Sequence, residues 1–256
     1  LMSQKTDSNN GALITCSSRR IGRAIALKLA GQGADIVVHY LRKKRAAQET
    51  VTEIEQLGRQ AIAVKANLAD ADQIETMFDE IEDAFGRCDI FVANAASGTP
   101  RNIMEVETKH WDWTMDVNAR AILRCAKRAV PLMEHAGWGR IVTISSPGST
   151  RVLPHYAAIG MSKAVVEAMT RYLAVALADR GIIVNAVSPG MVHTDAVRAF
   201  PVDLKTVIEQ TTQRTPTRRL VSPDDVARVV AFLCSDSVEM IVGQTIVIDG
   251  GYGLVA

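Results

Sequence analysis

The sequence predicts a doubly wound α/β fold: a seven-stranded parallel sheet with helices on both faces. Three observations lead there. Short β-branched runs alternate with longer stretches of helical period from end to end, and such alternation implies βαβ units around a parallel sheet. The strand runs are nearly continuous in apolar residues, as expected of strands covered on both faces. The 256 residues contain no internal repeat, low-complexity tract or Pro/Gly-rich linker, so one domain over 1–256 is the economical reading.

In chain order, strands are expected at Ala12–Thr15, Asp35–Tyr40, Ala61–Lys65, Asp89–Ala93, Arg140–Ser145, Ile182–Ser188 and Thr245–Asp249. Between them, helical periodicity marks Gly22–Ala30, Lys43–Leu57, Ala71–Phe85, Lys109–Met133, Met161–Asp179 and Pro223–Cys234. The helix from Met161 carries apolar residues around most of its circumference. That pattern predicts burial on both sides, against the sheet and against a partner subunit. The long stretch Pro189–Thr217, with three prolines, is expected to be irregular, and residues 191–215 within it are expected to form a lid.

Composition narrows the function. Hydrophobic residues make up 48% and charged residues 22%, values of an ordinary globular domain with a sizeable core. A formal charge of +1 argues against a nucleic-acid binder, which usually carries a basic excess. No apolar run reaches the roughly 18–20 residues of a membrane span, and the polar start of the chain predicts no secretory signal. The four cysteines, Cys16, Cys88, Cys125 and Cys234, lie far apart, which fits free thiols in the cytoplasm and no metal site.

After the first strand comes Thr15-Cys16-Ser17-Ser18-Arg19-Arg20-Ile21-Gly22, followed by a helix. This is where a dinucleotide-binding fold places a glycine-rich turn, using backbone N–H groups and a helix N-terminus to hold a pyrophosphate. Ser17, Arg19, Arg20, Ile21 and Gly22 are therefore candidate cofactor contacts, although the segment has one glycine only. The second strand runs into Leu41-Arg42-Lys43 with no acid. A ribose 2′-hydroxyl selects Asp or Glu at this point and a 2′-phosphate selects Arg, so Arg42 with Arg19 favours NADP(H).

The loop resembles the Thr-Gly-x-x-x-Gly-x-Gly turn of the short-chain dehydrogenase/reductase family, with Cys16 and Arg20 in its first two glycine positions. The resemblance covers nearly the whole chain. Asn94-Ala95-Ala96 ends the fourth strand, Asn118 stands where the family has its active-site Asn, and Ile144-Ser145-Ser146 matches the strand of the catalytic Ser. Ser188-Pro189-Gly190 followed by Thr194 looks like the turn that cradles nicotinamide. The resemblance implies a Rossmann-type homotetramer with cofactor contacts at Asn67, Asn94, Lys163, Pro189, Gly190 and Thr194.

Tyrosine and lysine spacing separates the branches. The residue four before Lys163 is Ile159, and Tyr156 lies seven before it. Seven residues of helix are nearly two turns, so both side chains would share one face about 10 Å apart along the axis. This Tyr-x6-Lys pattern resembles the enoyl-acyl-carrier-protein reductases, especially their NADPH-dependent reductase III branch. By that resemblance Tyr156 donates a hydrogen bond to the enolate oxygen of a 2-enoyl thioester. Lys163 holds the cofactor ribose, Ser146 is a second polar contact, and Asn118 anchors a water or braces the helix. Reduction of an acyl thioester, free or on an acyl carrier protein, is the leading reading. Two others stay open: a 3-oxoacyl or carbonyl reductase on the same fold, and a reductase-like protein that has lost dinucleotide binding and serves as a cofactor-free catalyst or binding module.

Overall fold

A computed structural model describes residues 10–192 and 203–255. Seven strands form one all-parallel sheet: β1 Gly11–Ile14, β2 Asp35–Tyr40, β3 Ala61–Lys65, β4 Ile90–Ala93, β5 Gly139–Ile144, β6 Ile182–Pro189 and β7 Thr245–Ile248. The order across the sheet is β3-β2-β1-β4-β5-β6-β7. Ile14 at the end of β1 is in register with Val38 of β2 and Val92 of β4. The order reverses direction between β1 and β4, and there the loops diverge to open a crevice beyond the strand ends.

The helices are α1 Arg20–Ala30, α2 Lys44–Gln56, α3 Ala71–Phe85, α4 Thr108–Met115, α5 Ala121–Ala136, α6 Ala157–Leu177, α7 Leu204–Arg214 and α8 Pro223–Leu233. Two cores result, one per sheet face. Ile25 and Leu29 of α1, Ile54 of α2 and Val230 of α8 pack with Ile14, Val38 and Val92. Ile74 and Phe78 of α3, Met133 of α5 and Val166 of α6 pack with Leu13, Phe91 and Ile141. Adjacent residues of one strand, such as Leu13 and Ile14, therefore enter different cores. This is why the strands carry unbroken apolar runs.

Local chemistry sets the helix ends. Asp70 caps α3 by accepting the amide hydrogens of Asp72 and Gln73, and Gly86 closes it in the left-handed conformation. Ser222, Pro223 and Asp225 start α8 as a capping box with proline in the first turn. Among the described residues, no helix is long and apolar enough to cross a membrane.

Two expectations are corrected. The helix expected over Lys109–Met133 is interrupted: α4 ends at Met115, a wide π-type turn covers Asp116–Arg120, and α5 follows. The stretch Pro189–Thr217, expected to be irregular, contains α7, started by the Asp203 carboxylate accepting the Lys205 amide hydrogen. Its Leu204, Val207 and Ile208 are only half-buried, so apolar content is a weak marker of it. Of the expected lid, residues 193–202, Thr194 included, lie outside the described residues.

Candidate active site

The remaining site residues gather along the carboxyl edge of the sheet. Ser17, Arg19, Arg20, Ile21 and Gly22 lie on the β1–α1 connection, Arg42 beyond β2, Asn67 beyond β3 and Asn94 beyond β4. Ser146 follows β5, Tyr156 immediately precedes α6 and Lys163 lies in its second turn, Pro189 ends β6 and Gly190 follows it.

The β1–α1 loop keeps the trace of a glycine turn without the glycines. Cys16 and Arg20 have φ of 55° and 56°, the left-handed region that costs a side-chain-bearing residue roughly 1–2 kcal/mol. Gly22 has no substitute: a Cβ there would lie 2.4 Å from the Cys16 carbonyl oxygen and 2.7 Å from Asn94 Nδ2. Asn94 Nδ2 donates to the Thr15 and Cys16 carbonyls at 2.9 and 3.3 Å. Thr15 Oγ1 in return accepts the amides of Asn94 and Ala95, each at 2.9 Å. The ends of β1 and β4 are thus stitched together at the crevice. No side chain caps α1, and its first turn carries no acid, so the positive end of the helix faces the crevice without a competing anion.

A residue absent from the sequence expectations holds this loop. His39, buried in β2, accepts the Cys16 amide hydrogen on Nδ1 at 2.9 Å and meets the Ala66 carbonyl through Nε2 at 3.0 Å. An N–H facing Nδ1 and a carbonyl facing Nε2 require the neutral tautomer protonated on Nε2. Burial pushes the imidazole down to about 4, which keeps it in that form. A histidine inside a β-branched run was the available signal.

Asn67 is engaged in its own turn, where its side-chain oxygen accepts the Ala69 amide hydrogen at 3.2 Å. Arg19 and Arg42 are exposed at the mouth of the crevice.

At the other end, Lys163 is buried and donates from Nζ to the Ile144 carbonyl at 2.7 Å. Burial lowers its ammonium to about 8. Tyr156 is the residue just before α6 rather than inside it. Its phenol is hydrogen-bonded with the Ser146 side chain, and burial raises its pKa above the ordinary value. Ser145 and Ser149 both donate to Glu167 Oε1 at 2.6 Å, pinning the loop on either side of Ser146. His155, with φ of 57°, makes the bend into Tyr156, and its carbonyl accepts the Arg101 amide hydrogen at 2.9 Å. A cavity of about 440 Å³ opens beside Tyr156, lined by Ile103, Val152, Leu153, Pro154 and Met161 with Arg101 and Arg151.

Asn118 sits in the π-type turn, fully buried. It accepts the Ser97 amide hydrogen at 2.7 Å and donates to the Ser97 carbonyl and to Ser162 Oγ, each at 2.9 Å. These bonds brace the loop after β4 against α6.

Comparison with known proteins places the chain. A family model described as enoyl-(acyl carrier protein) reductase matches residues 16–253. The 1-cyclohexenylcarbonyl-CoA reductase of Streptomyces collinus is 40% identical over 99% of this chain and 90% of its own length. The 3-oxoacyl-[acyl-carrier-protein] reductase FabG of Staphylococcus aureus is 38% identical over 94% of this chain and 96% of its own. A short-chain dehydrogenase of Burkholderia cenocepacia in complex with NADP superposes with a TM-score of 0.88 at 34% identity, covering 98% of this chain and all of that one. With these relatives and this topology, the chain belongs to the short-chain dehydrogenase/reductase family of oxidoreductases.

Proposed function

We propose that the protein reduces the carbon–carbon double bond of a 2-enoyl thioester with NADP(H). The observation that carries this reading is the placement of the phenol. Tyr156 stands before the first turn of α6, bonded to Ser146 and facing the cavity, while Ile159 fills the position four before Lys163. A ketoreductase must protonate the oxygen on the carbon that receives hydride. An enoyl reductase must instead hold an oxygen two carbons away, and a phenol set back by nearly one turn suits that geometry. The match to the Streptomyces reductase of an unsaturated CoA thioester supports it.

The residues present fit the dinucleotide. The left-handed trace at Cys16 and Arg20, the sterically required Gly22 and the uncapped α1 form a pyrophosphate cradle. Arg19 and Arg42 supply cations for a 2′-phosphate, and Ser17, Ile21, Asn67, Asn94, Pro189 and Gly190 lie with them along the carboxyl edge of the sheet as further candidate contacts. That preserved trace weighs against the cofactor-free reading. When bound, NADP(H) supplies the hydride. Tyr156 O–H donates to the thioester oxygen as negative charge builds there, with Ser146 orienting the phenol. Lys163, cationic below about pH 8, holds the ribose and favours negative charge nearby. Asn118 fixes the floor through Ser97 and Ser162.

We place the protein in the cytoplasm, acting on a CoA or acyl-carrier-protein thioester as a homotetramer. Tyr172 and Val175, 81% and 83% exposed on α6, form the apolar face for a two-fold contact.

The 3-oxoacyl alternative is favoured by the identity to FabG. NADPH oxidation with crotonyl-CoA and with acetoacetyl-CoA separates the two. Turnover of crotonyl-CoA alone is expected, and Tyr156→Phe should lower kcat by roughly 10²–10³, the loss of one oxyanion donor. Turnover of acetoacetyl-CoA alone would reverse the assignment.

A further inference from the structure

The Tyr156 ring occupies a seat built from missing side chains. A Cβ on Gly148 would lie 2.6 Å from both Cδ1 and Cε1 of the ring. A Cβ on Gly160 would lie 3.4 Å from Cδ1 and 2.7 Å from the Gly148 carbonyl oxygen. Carbon atoms in ordinary contact stay roughly 3.5–4.0 Å apart, so a methyl group at 148 displaces the ring by about 1 Å. The two glycines come from separate elements. Gly148 lies in the short 3₁₀ turn Pro147–Ser149 and Gly160 in the first turn of α6. Tyr156 is held where the two meet, and its phenol reaches Ser146, the residue that starts the 3₁₀ turn.

The neighbouring position is closed by the same device used in reverse. Ile159 is 8% exposed. A Cβ on Gly98 would lie 2.4 Å from Ile159 Cγ1, and Gly98 has φ of 159°. Gly98 thus admits an aliphatic side chain four residues before Lys163, while Gly148 and Gly160 admit an aromatic one seven before it.

We infer that Gly148 and Gly160 are positioning residues that set where the Tyr156 phenol is presented, and through it which bond of the substrate is reduced. The inference rests on the reading of Tyr156 as the donor to a thioester oxygen. A plain packing role, in which the glycines merely let α6 approach the β5 loop, makes a different prediction about coupling to the hydroxyl.

Gly148→Ala is expected to lower kcat with crotonyl-CoA by roughly 10²-fold, the cost of misplacing a catalytic group by about 1 Å. Gly160→Ala, whose Cβ strikes the Gly148 carbonyl oxygen rather than the ring, is expected to lower it less, by shifting the turn that seats the ring. NADPH affinity, measured by fluorescence titration, should stay unchanged. In a Tyr156→Phe background, Gly148→Ala should cost no further activity, because the hydroxyl it misplaces is already gone. If Gly148→Ala also lowers the thermal midpoint, the same change in a Tyr156→Ala background should recover it, since no ring remains to be struck.

An equal loss from Gly148→Ala with and without the phenol hydroxyl would overturn the positioning role and leave packing alone. A large loss for Tyr156→Phe with none for Gly148→Ala would overturn this inference and spare the functional reading beneath it. Full activity of Tyr156→Phe would overturn both.

Discussion

His39 Nδ1 lies 2.9 Å from the Cys16 amide nitrogen, so a buried neutral imidazole holds the first left-handed residue of the phosphate loop. The bond needs a lone pair on Nδ1, and protonation removes it. The folded pKa of about 4 against an ordinary 6.5 means that the unfolded chain binds the extra proton first. Stability from this residue is therefore complete above pH 6.5 and is lost as pH falls toward 4, by about 3 kcal/mol. Urea unfolding at a series of pH values should show that loss. His39→Leu should flatten it, while lowering stability at pH 7.5 by about 1–3 kcal/mol through the orphaned Cys16 amide.

Cys16 and Arg20 keep a backbone that glycine adopts freely. Cys16→Gly and Arg20→Gly are each expected to stabilise the fold by about 1 kcal/mol, the left-handed cost less the added freedom of the unfolded chain. Thermal unfolding of the single and double variants checks it. A lower midpoint would mean that the side chains contribute more than the strain removes.

Arg42 stands exposed beyond β2, where no acid accompanies it. Arg42→Ala should weaken NADPH by roughly tenfold and leave NADH untouched, since a charge-assisted contact reaches the 2′-phosphate only. Calorimetric titration with both nucleotides reads the difference. Equal losses would reduce Arg42 to a solvated side chain.

Lys163 loses its charge as pH rises through about 8. Nucleotide affinity and turnover should fall together over that interval, because the ammonium form makes the ribose contacts. Lys163→Ala should weaken binding and abolish the dependence. Tyr156→Phe should keep nucleotide binding and its pH profile intact.

Much of this was legible in the residues themselves. Strand runs such as Asp35–Tyr40 and Ala61–Lys65 match the structure to the residue. Strand β2 is buried over most of its length, and the edge strand β3, only half-buried, still shows as a short run of small and β-branched residues. The Tyr156–Lys163 pair was likewise visible, and the structure brings Lys163 to the Ile144 carbonyl and Tyr156 to Ser146 at the end of β5. The roles of His39, Gly148 and Gly160 were not legible, since each depends on a partner that the fold delivers from a different element. Asn118 was visible as a site position, but only its three hydrogen bonds identify it as a brace. Helix α7 escaped because its few apolar residues meet no full core.

The π-type turn at Asp116–Arg120 has a consequence for how this segment tolerates change. Such a turn holds one residue more than a regular helix would. It therefore rotates α4 and α5 by about 100° relative to an unbroken cylinder. Within it, Asn118 reaches Ser97 and Ser162. Directly after it, Ala121, Ile122, Cys125, Ala126 and Ala129 face the core. Removing a single residue would regularise the helix and put one of these two faces out of phase. The extra residue works as a phase shifter, letting one continuous stretch of chain serve a polar junction and an apolar interior that lie in different directions.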